Sequence, residues 1–413
     1  MITVAKALEH ILQTVSPLGL EKINILNALG RVISEDITAG RNIPPKDNSA
    51  MDGYALCCQD TVGASVKNPV LLEVIEDIPA GAVPQRNIAI GQAARIMTGA
   101  PIPEGADAVM RMEDTEKEGN RVKIMAEAVF KQDIRSAGED VSEGEVVVLR
   151  GSVLRPAEIG MLASLGRSFV SVHQKPLIAM LATGDELVDI DENPSPWKIV
   201  NSNSYSIAAQ VLDCGAQVCI LGIARDERAD LIAKFQAALR ADVIISSGGV
   251  SVGDYDLVKD IMKEVGSRMQ FWQVAMRPGK PLAYGTIGKT PVFGLPGNPV
   301  SSMISFEQFI RPAILKMMGH KKIFRKTIRA RLKEDIKKRK GLTHFVRAVV
   351  EDANGGYTAS STGEQGSGIL KSMVRANGLI VLPEETEFVK AGDEVTVQII
   401  DDSLKLTVKP EYL

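Results

Sequence analysis

The chain has 413 residues, 45% of them apolar, 24% charged and only 4% aromatic, with a formal net charge of −3. That length exceeds one ordinary core and implies roughly two to four domains. The near-balanced charge leaves no basic footprint for nucleic acid, and so few aromatics argue against stacking platforms for single strands. No apolar stretch is as long as a membrane span and no basic-then-apolar leader is seen, so a soluble, cytoplasmic protein with no membrane partner is expected.

TVAKALEHILQTV is an amphipathic helix with Val4, Leu8, Ile11, Leu12 and Val15 along one face, and NALGRVISEDI gives a second helical pattern. Residues 41–140 change to short β-rich runs such as VLLEVIEDI and AARIMT, broken by Pro and Gly clusters, which read as a small β domain. SEGEVVVLRGSVL and the helical RPAEIGMLASLG then return the chain to its first module. Residues 1–40 and 141–174 are thus expected to form one domain into which 41–140 is inserted.

From Lys175 to about residue 325, strands and helices alternate: PLIAMLATGDEL, then NSNSYSIAAQVLDCG with an Asn or Ser cap and Gly215 as its stop, AQVCILGI, DERADLIAKFQAALR, DVIISSGG, FWQVAM, TPVFGL and a closing helix VSSMISFEQFIRPAILKMMG. This predicts a mostly parallel sheet between two helical layers, with ligands at the carboxyl ends of its strands. From 326 to 413 the helices stop, and HFVRAVV, YTAS, GLIVLP and EVTVQII alternate as strands of a small C-terminal β domain. The expected fold class is α/β plus β, in several domains. The basic run from Lys321-Lys322 to Lys337-Lys338-Arg339-Lys340 reads as solvated linker charge at the last junction. Cys57, Cys58, Cys214 and Cys219 form no C-x-x-C pair and have no His partner at ligand spacing, which predicts a reduced protein without structural zinc.

Between Asp242 and Asp256 the chain reads DVIISSGGVSVGDYD. A β-branched run suited to a buried strand leads into Ser247, Gly248, Gly249, Ser251 and Gly253, small residues that let backbone N–H groups close on an anion. Asp254 and Asp256 follow at the start of a helical pattern. A phosphate cradle beside carboxylates suits phosphoester or anhydride chemistry with a divalent metal. Taken alone, such a turn is also an ordinary β-to-α connection, and neither the Rossmann nor the P-loop pattern occurs at it.

Four further strand ends carry polar loops: TGDEL with Asp185 and Glu186, RDE with Asp226, MRPGKP with Arg277 and Lys280, and LPGNPVSS with Pro296, Gly297 and Asn298 before a helix. A single loop of this kind is a cap or a turn. Five at one edge of a sheet predict a binding cleft. Arg277 and Lys280 suit anionic oxygens, while Asp226, Asp256 and Glu186 suit Mg²⁺ or ribose hydroxyls, so a phosphorylated, nucleotide-like ligand with magnesium fits.

In the β domain, Asp47, Asn48, Ser49 and Asp52 lie in PPKDNSAMDGYAL, Thr98 beside Gly99, and Glu139 and Asp140 in RSAGED. Singly, each reads as turn chemistry. Arg347 falls on a strand pattern and reads from composition as a solvated strand residue. Ser367 lies in the loop GEQGSG.

Together, DNSAMDGYAL, RIMTGAPIPEGADAV, AGEDV, TGDEL, SSGGVSVG, RPGKPLAYG, GLPGNPVSS and GEQGSG, in this order over essentially the whole chain, resemble the MoeA-type molybdopterin molybdenumtransferases. The catalytic domain of gephyrin and the plant molybdate-insertion domain are similar. The resemblance implies an elongated homodimer of four-domain subunits, with a three-layer α/β molybdopterin-binding domain, the inserted β domain and a C-terminal β-barrel-like domain. Its active cleft lies between the α/β domain of one subunit and the β domain of the other.

The implied reaction is a transferase step of molybdenum cofactor biosynthesis. Molybdate is inserted into adenylylated molybdopterin with release of AMP, Mg²⁺ is required, and two dithiolene sulfurs of the ligand receive the molybdenum. Carried over by position, the resemblance makes Asp52, Thr98, Asp140, Glu186, Asp226 and Asp256 the catalytic set, with Asp226, Asp256 and Glu186 as metal ligands. Arg277, Lys280, Arg347 and Ser367 become the oxyanion-binding set. The family often has Lys where this chain has Arg277, and Asp254 stays open beside Asp256, although spacing favours Asp256. A molybdopterin adenylyltransferase and the enzymes that receive the cofactor are the implied partners. A tungstate-inserting paralogue and a dimeric non-catalytic scaffold on the same fold are the alternatives. A shorter adenylyltransferase would lack the β domain and the C-terminal strands.

Overall fold

Runs of β-branched and small apolar residues without alternation, such as LIAMLAT and VIISS, occupy the middle of a six-stranded sheet covered on both faces. The structure, a computed structural model, describes residues 1–225, 227–248, 261–262, 264–353, 355–406 and 408. The chain divides into two units, one of Met1–Lys22, Gly30–Ser34 and Ser171–Leu413, the other of Ile23–Leu29 and Glu35–Val170.

In the first unit the sheet order is Gln217–Ala224, Leu177–Thr183, Val243–Ser247, Thr290–Leu295, Pro281–Ile287, Ser267–Gln273. The first four strands are parallel. Pro281–Ile287 runs against both of its neighbours, so Ser267–Gln273 again points with the majority. Five of the six strands therefore end at one edge. Val4–Thr14, Ser202–Asp213 and the helical run 299–317 pack on one face, and Arg228–Ala238 with Ile261 and Met262 on the other, giving the expected three layers. The hairpin partner Pro281–Ile287 is a strand that the sequence reading does not name.

The run 299–317 widens to a π-helix over Phe306–Ile310 between α-helices Pro299–Ser305 and Arg311–Met317. Glu307, on the π turn, is only 7% exposed. Arg325 Nε donates to it at 2.7 Å, Arg311 Nε lies 3.6 Å away, and Arg325 also reaches Asp213 at 3.4 Å.

The C-terminal strands close on themselves. Thr343–Ala353 pairs with Gly356–Ser361, which pairs with Thr327–Leu332, then Glu394–Ile399, then Gly378–Leu382, which returns to Thr343–Ala353. Closure removes the free edges that five short strands would otherwise expose. The alternation seen in the sequence sends Val346, Ala348, Val350, Ile380, Leu382, Val395 and Val397 inward.

Three expectations need correction. NALGRVISEDI is not a helix: a single 3₁₀ turn, Ile25–Ala28, ends before Gly30 at φ +75°, and Val32 and Ile33 are buried in extended chain. Helices do not stop at residue 326, because Lys371–Arg375 is α-helical. The basic run is not wholly solvated linker. Ile336–Lys337 pairs with Phe388–Val389, and Lys338 is buried with its ammonium donating to the carbonyls of Leu342 at 2.9 Å and Glu384 at 3.2 Å.

The second unit is built on a sheet ordered Ala108–Arg111, Gly53–Leu56, Gln92–Ile96, Val70–Ile78, Arg121–Ile124, Thr115–Glu118. A Cβ at Gly53 would sit 2.0 Å from the Met110 carbonyl oxygen, so only glycine allows that pairing. Small apolar residues fill both faces, Ala93 and Met110 on one, Ala94 and Val109 on the other. Val146–Val148 pairs with Ile37–Thr38.

Glu307→Ala leaves two guanidinium groups without their shared carboxylate. The expected loss is about 3–5 kcal/mol of unfolding free energy, read by urea denaturation. Glu307→Gln, which keeps the shape and an acceptor, is expected to lose less.

Candidate functional site

The shared carboxyl edge opens into a cleft of about 400 Å³. Thr183 ends the strand Leu177–Thr183 and Glu186 follows it, Ser247 ends Val243–Ser247 with Gly248 next, and Gly297–Pro299 follow Thr290–Leu295. Residues 199–203 and, from the C-terminal region, Gly368 and Leu370 complete the walls.

Close backbone approach shapes the floor. Gly248 has φ +91°, and a Cβ there would lie 2.4 Å from the Thr183 carbonyl oxygen. Gly184 has φ +141°, and a Cβ there would meet both carboxylate oxygens of Glu186 at 2.6 Å, so the exposed Glu186 side chain folds back over it. Thr183 is 2% exposed and its hydroxyl finds no partner among the described residues. A buried hydroxyl without a partner is uncommon in folded proteins and marks this part of the cleft wall as incompletely satisfied.

Asn203 ties two of the loops together. Its Nδ2 donates to Ser247 Oγ and to the Gly297 carbonyl, both at 2.8 Å. The helix Ser202–Asp213 takes its cap from Asn201, which accepts from the Ser204 amide at 3.2 Å, so Asn203 is available for this clasp. Sequence reasoning missed both Asn203 and Thr183. The signal was present: NSNS holds more short polar residues than one cap needs, and Thr183 ends the strand before GDEL.

The anion-site argument for LPGNPVSS is corrected in part. Pro299 has no N–H, the Val300 amide donates to the Ser367 carbonyl at 3.1 Å, and the Pro296 carbonyl accepts from Ser302 Oγ. The Gly248 amide likewise donates to the Leu295 carbonyl at 3.1 Å. These amides hold the cleft together rather than facing a phosphate.

Ser367 thus docks the loop 363–368 on the sheet edge. Beneath that loop lies Arg347, 1% exposed, which corrects its reading as a solvated strand residue. Its Nε donates to Ser372 Oγ at 3.1 Å and its Nη2 to the Gly366 carbonyl at 3.0 Å. No carboxylate among the described residues pairs with it. Burial first, and then the Arg277 charge, pull its pKa down to about 10, so it stays cationic at neutral pH. Met276–Arg277 pairs with Thr343 and His344, and burial followed by the Lys338 and Arg277 charges lowers His344 to about 4. Arg277 and Lys280 are exposed and do not border the cleft walls.

In the second unit, Asp52 and Thr98 meet. Asp52 Oδ1 accepts from the Thr98 amide and hydroxyl, each at 2.7 Å, and these bonds hold its carboxyl below the usual 3.8. Asp140 is exposed, with its amide donating to the Ile43 carbonyl at 3.0 Å. Asp226, Gly249, Ser251, Gly253, Asp254 and Asp256 lie outside the described residues. All four cysteines are free thiols and none lines the cleft. Among the described residues, no group of three or more His, Cys, Asp or Glu converges on one point, and no helix is long and apolar enough to cross a membrane.

Three family models match in sequence order: "MoeA N-terminal region (domain I and II)" over residues 2–166, "Probable molybdopterin binding domain" over 179–316, and "MoeA C-terminal region (domain IV)" over 329–400. The chain is 39% identical to molybdopterin molybdenumtransferase 2 of Mycobacterium tuberculosis over 385 residues, covering 91% of this chain and 94% of that one. It is 35% identical to the molybdopterin molybdenumtransferase of Staphylococcus epidermidis over 403 residues, covering 97% and 96%. Among solved structures, the molybdopterin biosynthesis moeA protein of Pyrococcus horikoshii superposes with a TM-score of 0.82 at 30% identity, covering 97% of this chain and 100% of that one.

Because the folded Asp52 carboxyl is depressed, the Asp52–Thr98 pair stabilises its loop at pH values above the unfolded pKa and loses that contribution as pH falls through the folded one. Thr98→Val removes the hydroxyl donor and keeps the amide. The Asp52 midpoint in a ¹³C NMR titration is expected to rise toward 3.8 without reaching it. An unmoved midpoint would assign no share of the depression to the hydroxyl.

Proposed function

The chain belongs to the MoeA family of molybdopterin molybdenumtransferases, enzymes of molybdenum cofactor biosynthesis, and from that premise we propose that it inserts molybdate into adenylylated molybdopterin with release of AMP. The observation that carries this reading is the cleft at the carboxyl edge of the α/β sheet, where Glu186 and the partnerless Thr183 hydroxyl adjoin a loop docked over a buried, uncompensated guanidinium. Cleaving the adenylate anhydride needs polar groups around the phosphates, and capturing a tetrahedral dianion needs positive charge.

Thr183 Oγ1 and Ser247 Oγ are the hydroxyls that meet phosphate oxygens, with Asn203 fixing the loops that carry Ser247 and Gly297. Arg277, Lys280, Arg347 and Ser367 would supply charge and a hydroxyl for the oxyanion at a site beside, not within, the described cleft walls, with a fork geometry in the case of arginine. Molybdenum passes to the dithiolene sulfurs of the pterin, so the protein needs no cysteine ligand.

Magnesium belongs to the same proposal. The cleft donors fit a hard cation, since carboxylate and hydroxyl oxygens line it and, among the described residues, no thiolate or imidazole does. Glu186 would hold the ion with Asp226 and Asp256, or with Asp254 in place of Asp256. Bound there, Mg²⁺ would offset the charge that develops as the anhydride breaks. Asp52, Thr98 and Asp140 complete the catalytic set from the partner subunit of a homodimer. Division of the chain near residues 40, 140, 174 and 325 and a cytoplasmic location belong to this reading too.

The test is incubation of purified protein with adenylylated molybdopterin, Mg²⁺ and molybdate or tungstate, following AMP release and metal incorporation. No AMP release would favour a non-catalytic scaffold, and incorporation of tungstate alone would favour the tungsten paralogue. If the cleft is shared, mixing inactive Asp52→Ala with inactive Lys280→Ala should restore part of the activity, because one cleft of each mixed dimer keeps both residues. No recovery after demonstrated subunit exchange would rule out the shared cleft.

Arg347→Lys keeps a cation but loses the two-armed grip on Ser372 and Gly366. The molybdate concentration for half-maximal insertion should rise about 10- to 150-fold, the equivalent of roughly 1.5–3 kcal/mol for a charge-assisted hydrogen bond, with little change in affinity for the pterin nucleotide. Equal weakening toward both substrates would make Arg347 a purely structural residue.

A further inference from the structure

Trp197 is 88% exposed, an unusual position for one of only two tryptophans in a chain so poor in aromatics. It lies on the segment 189–198, which joins two short parallel strands, Leu187–Val188 and Ile199–Val200. Leu187, Ile199 and Val200 all line the cleft, so the segment springs from the cleft wall and returns to it. It is also tied down. Tyr205 Oη donates to Asp189 Oδ1 at 2.9 Å, the Lys198 amide to the Ser195 carbonyl at 2.9 Å, and Lys198 Nζ to the Asp185 carbonyl. The indole therefore stands in solvent on a hydrogen-bonded loop whose ends are part of the site.

The walls of that cleft are aliphatic, hydroxyl, amide and carboxylate groups, with no aromatic side chain among the described residues that line it. Ligands with planar fused rings gain much of their affinity from a flat aromatic face, and indole offers the largest one. Trp197 has no core to fill, and Ile190 and Ile199 on the same segment are also exposed. We infer that Trp197 supplies the stacking face for a fused heteroaromatic ring of the ligand, beside the cleft that holds its phosphates. The inference rests on the reading that this cleft takes an adenylylated pterin, a ligand with two such rings.

The test is calorimetric binding of AMP and of adenylylated molybdopterin to the full chain, to Trp197→Ala and to Trp197→Phe. Emission is followed alongside in a Trp272→Phe background, where Trp197 is the sole indole. Stacking predicts quenching on binding and a roughly 5- to 150-fold weaker affinity for Trp197→Ala, the range spanned by one base–aromatic contact. Trp197→Phe should keep most of the affinity, and thermal midpoints should not move. Loss toward AMP assigns the contact to adenine, whereas loss toward the adenylylated pterin alone assigns it to the pterin. If both ligands bind without quenching Trp197 emission in the Trp272→Phe background and Trp197→Ala binds them equally well, the stacking role is wrong and the reading of the cleft survives. If the wild type binds neither ligand, the reading of the cleft fails and the role of Trp197 fails with it.

Discussion

A guanidinium buried with no carboxylate partner among the described residues is the constraint on which the loop closing one side of the cleft depends. Arg347 sits on a barrel strand, 1% exposed, with only neutral oxygens as acceptors and Arg277 adding repulsion. Taking such a charge out of water costs several kcal/mol unless it is compensated. The protein meets part of that cost by wrapping the backbone of residues 363–372 around it, which sets where Ser367 and Gly368 lie. Ser367 then accepts from the first amide of the helix after Pro299, and Gly368 becomes part of the cleft wall. An anion would supply the missing charge. The barrel thus reaches the cleft edge of the α/β sheet through the loop that covers this arginine.

Strand direction explains why the chemistry collects where it does. Every parallel strand delivers its following loop to the same edge, and the single reversed strand, Pro281–Ile287, sends the chain back so that Thr290–Leu295 can deliver one more. The loops after Leu177–Thr183, Gln217–Ala224, Val243–Ser247, Ser267–Gln273 and Thr290–Leu295 were therefore legible as one group from the alternation of strand and helix alone. Their contacts were not. Whether an amide faces a ligand or a neighbouring carbonyl depends on tertiary approach, and both Val300 and Gly248 give theirs to carbonyls across the cleft.

The misreadings share a physical origin. NALGRVISEDI has helical spacing, but Gly30 takes a left-handed turn after one 3₁₀ turn and the β-branched Val32 and Ile33 gain more from burial in extended chain. Lys338 belongs to a basic run, yet carbonyls from two segments far apart in sequence satisfy its ammonium. Arg347 alternates correctly for a strand, and only closure of the barrel and the loop above it reveals that its side chain is covered. In each case local pattern was overruled by partners that sequence spacing does not display. The C-terminal strands, the three layers and the first helix were legible because there burial alone decides, and burial has a period, whereas the closure of those strands into a barrel came only with the family resemblance.

Two buried polar groups left incompletely compensated among the described residues link stability to the cleft. Thr183 Oγ1 is buried and unpaired in the cleft wall, and Arg347 is buried and unneutralised below the docked loop. Leaving a buried donor unsatisfied costs about 1–3 kcal/mol, more for a charge, so neither residue serves the free protein as well as an apolar one of similar shape. That deficit is compensated elsewhere, by the apolar layers on both faces of the sheet and by the closed core of the barrel. A ligand that satisfies both groups removes the deficit and binds with the free energy so released. Of the eight buried side-chain atoms left unpaired among the described residues, that of Thr183 is the one whose residue lines the cleft, so it is the one a polar ligand there would satisfy.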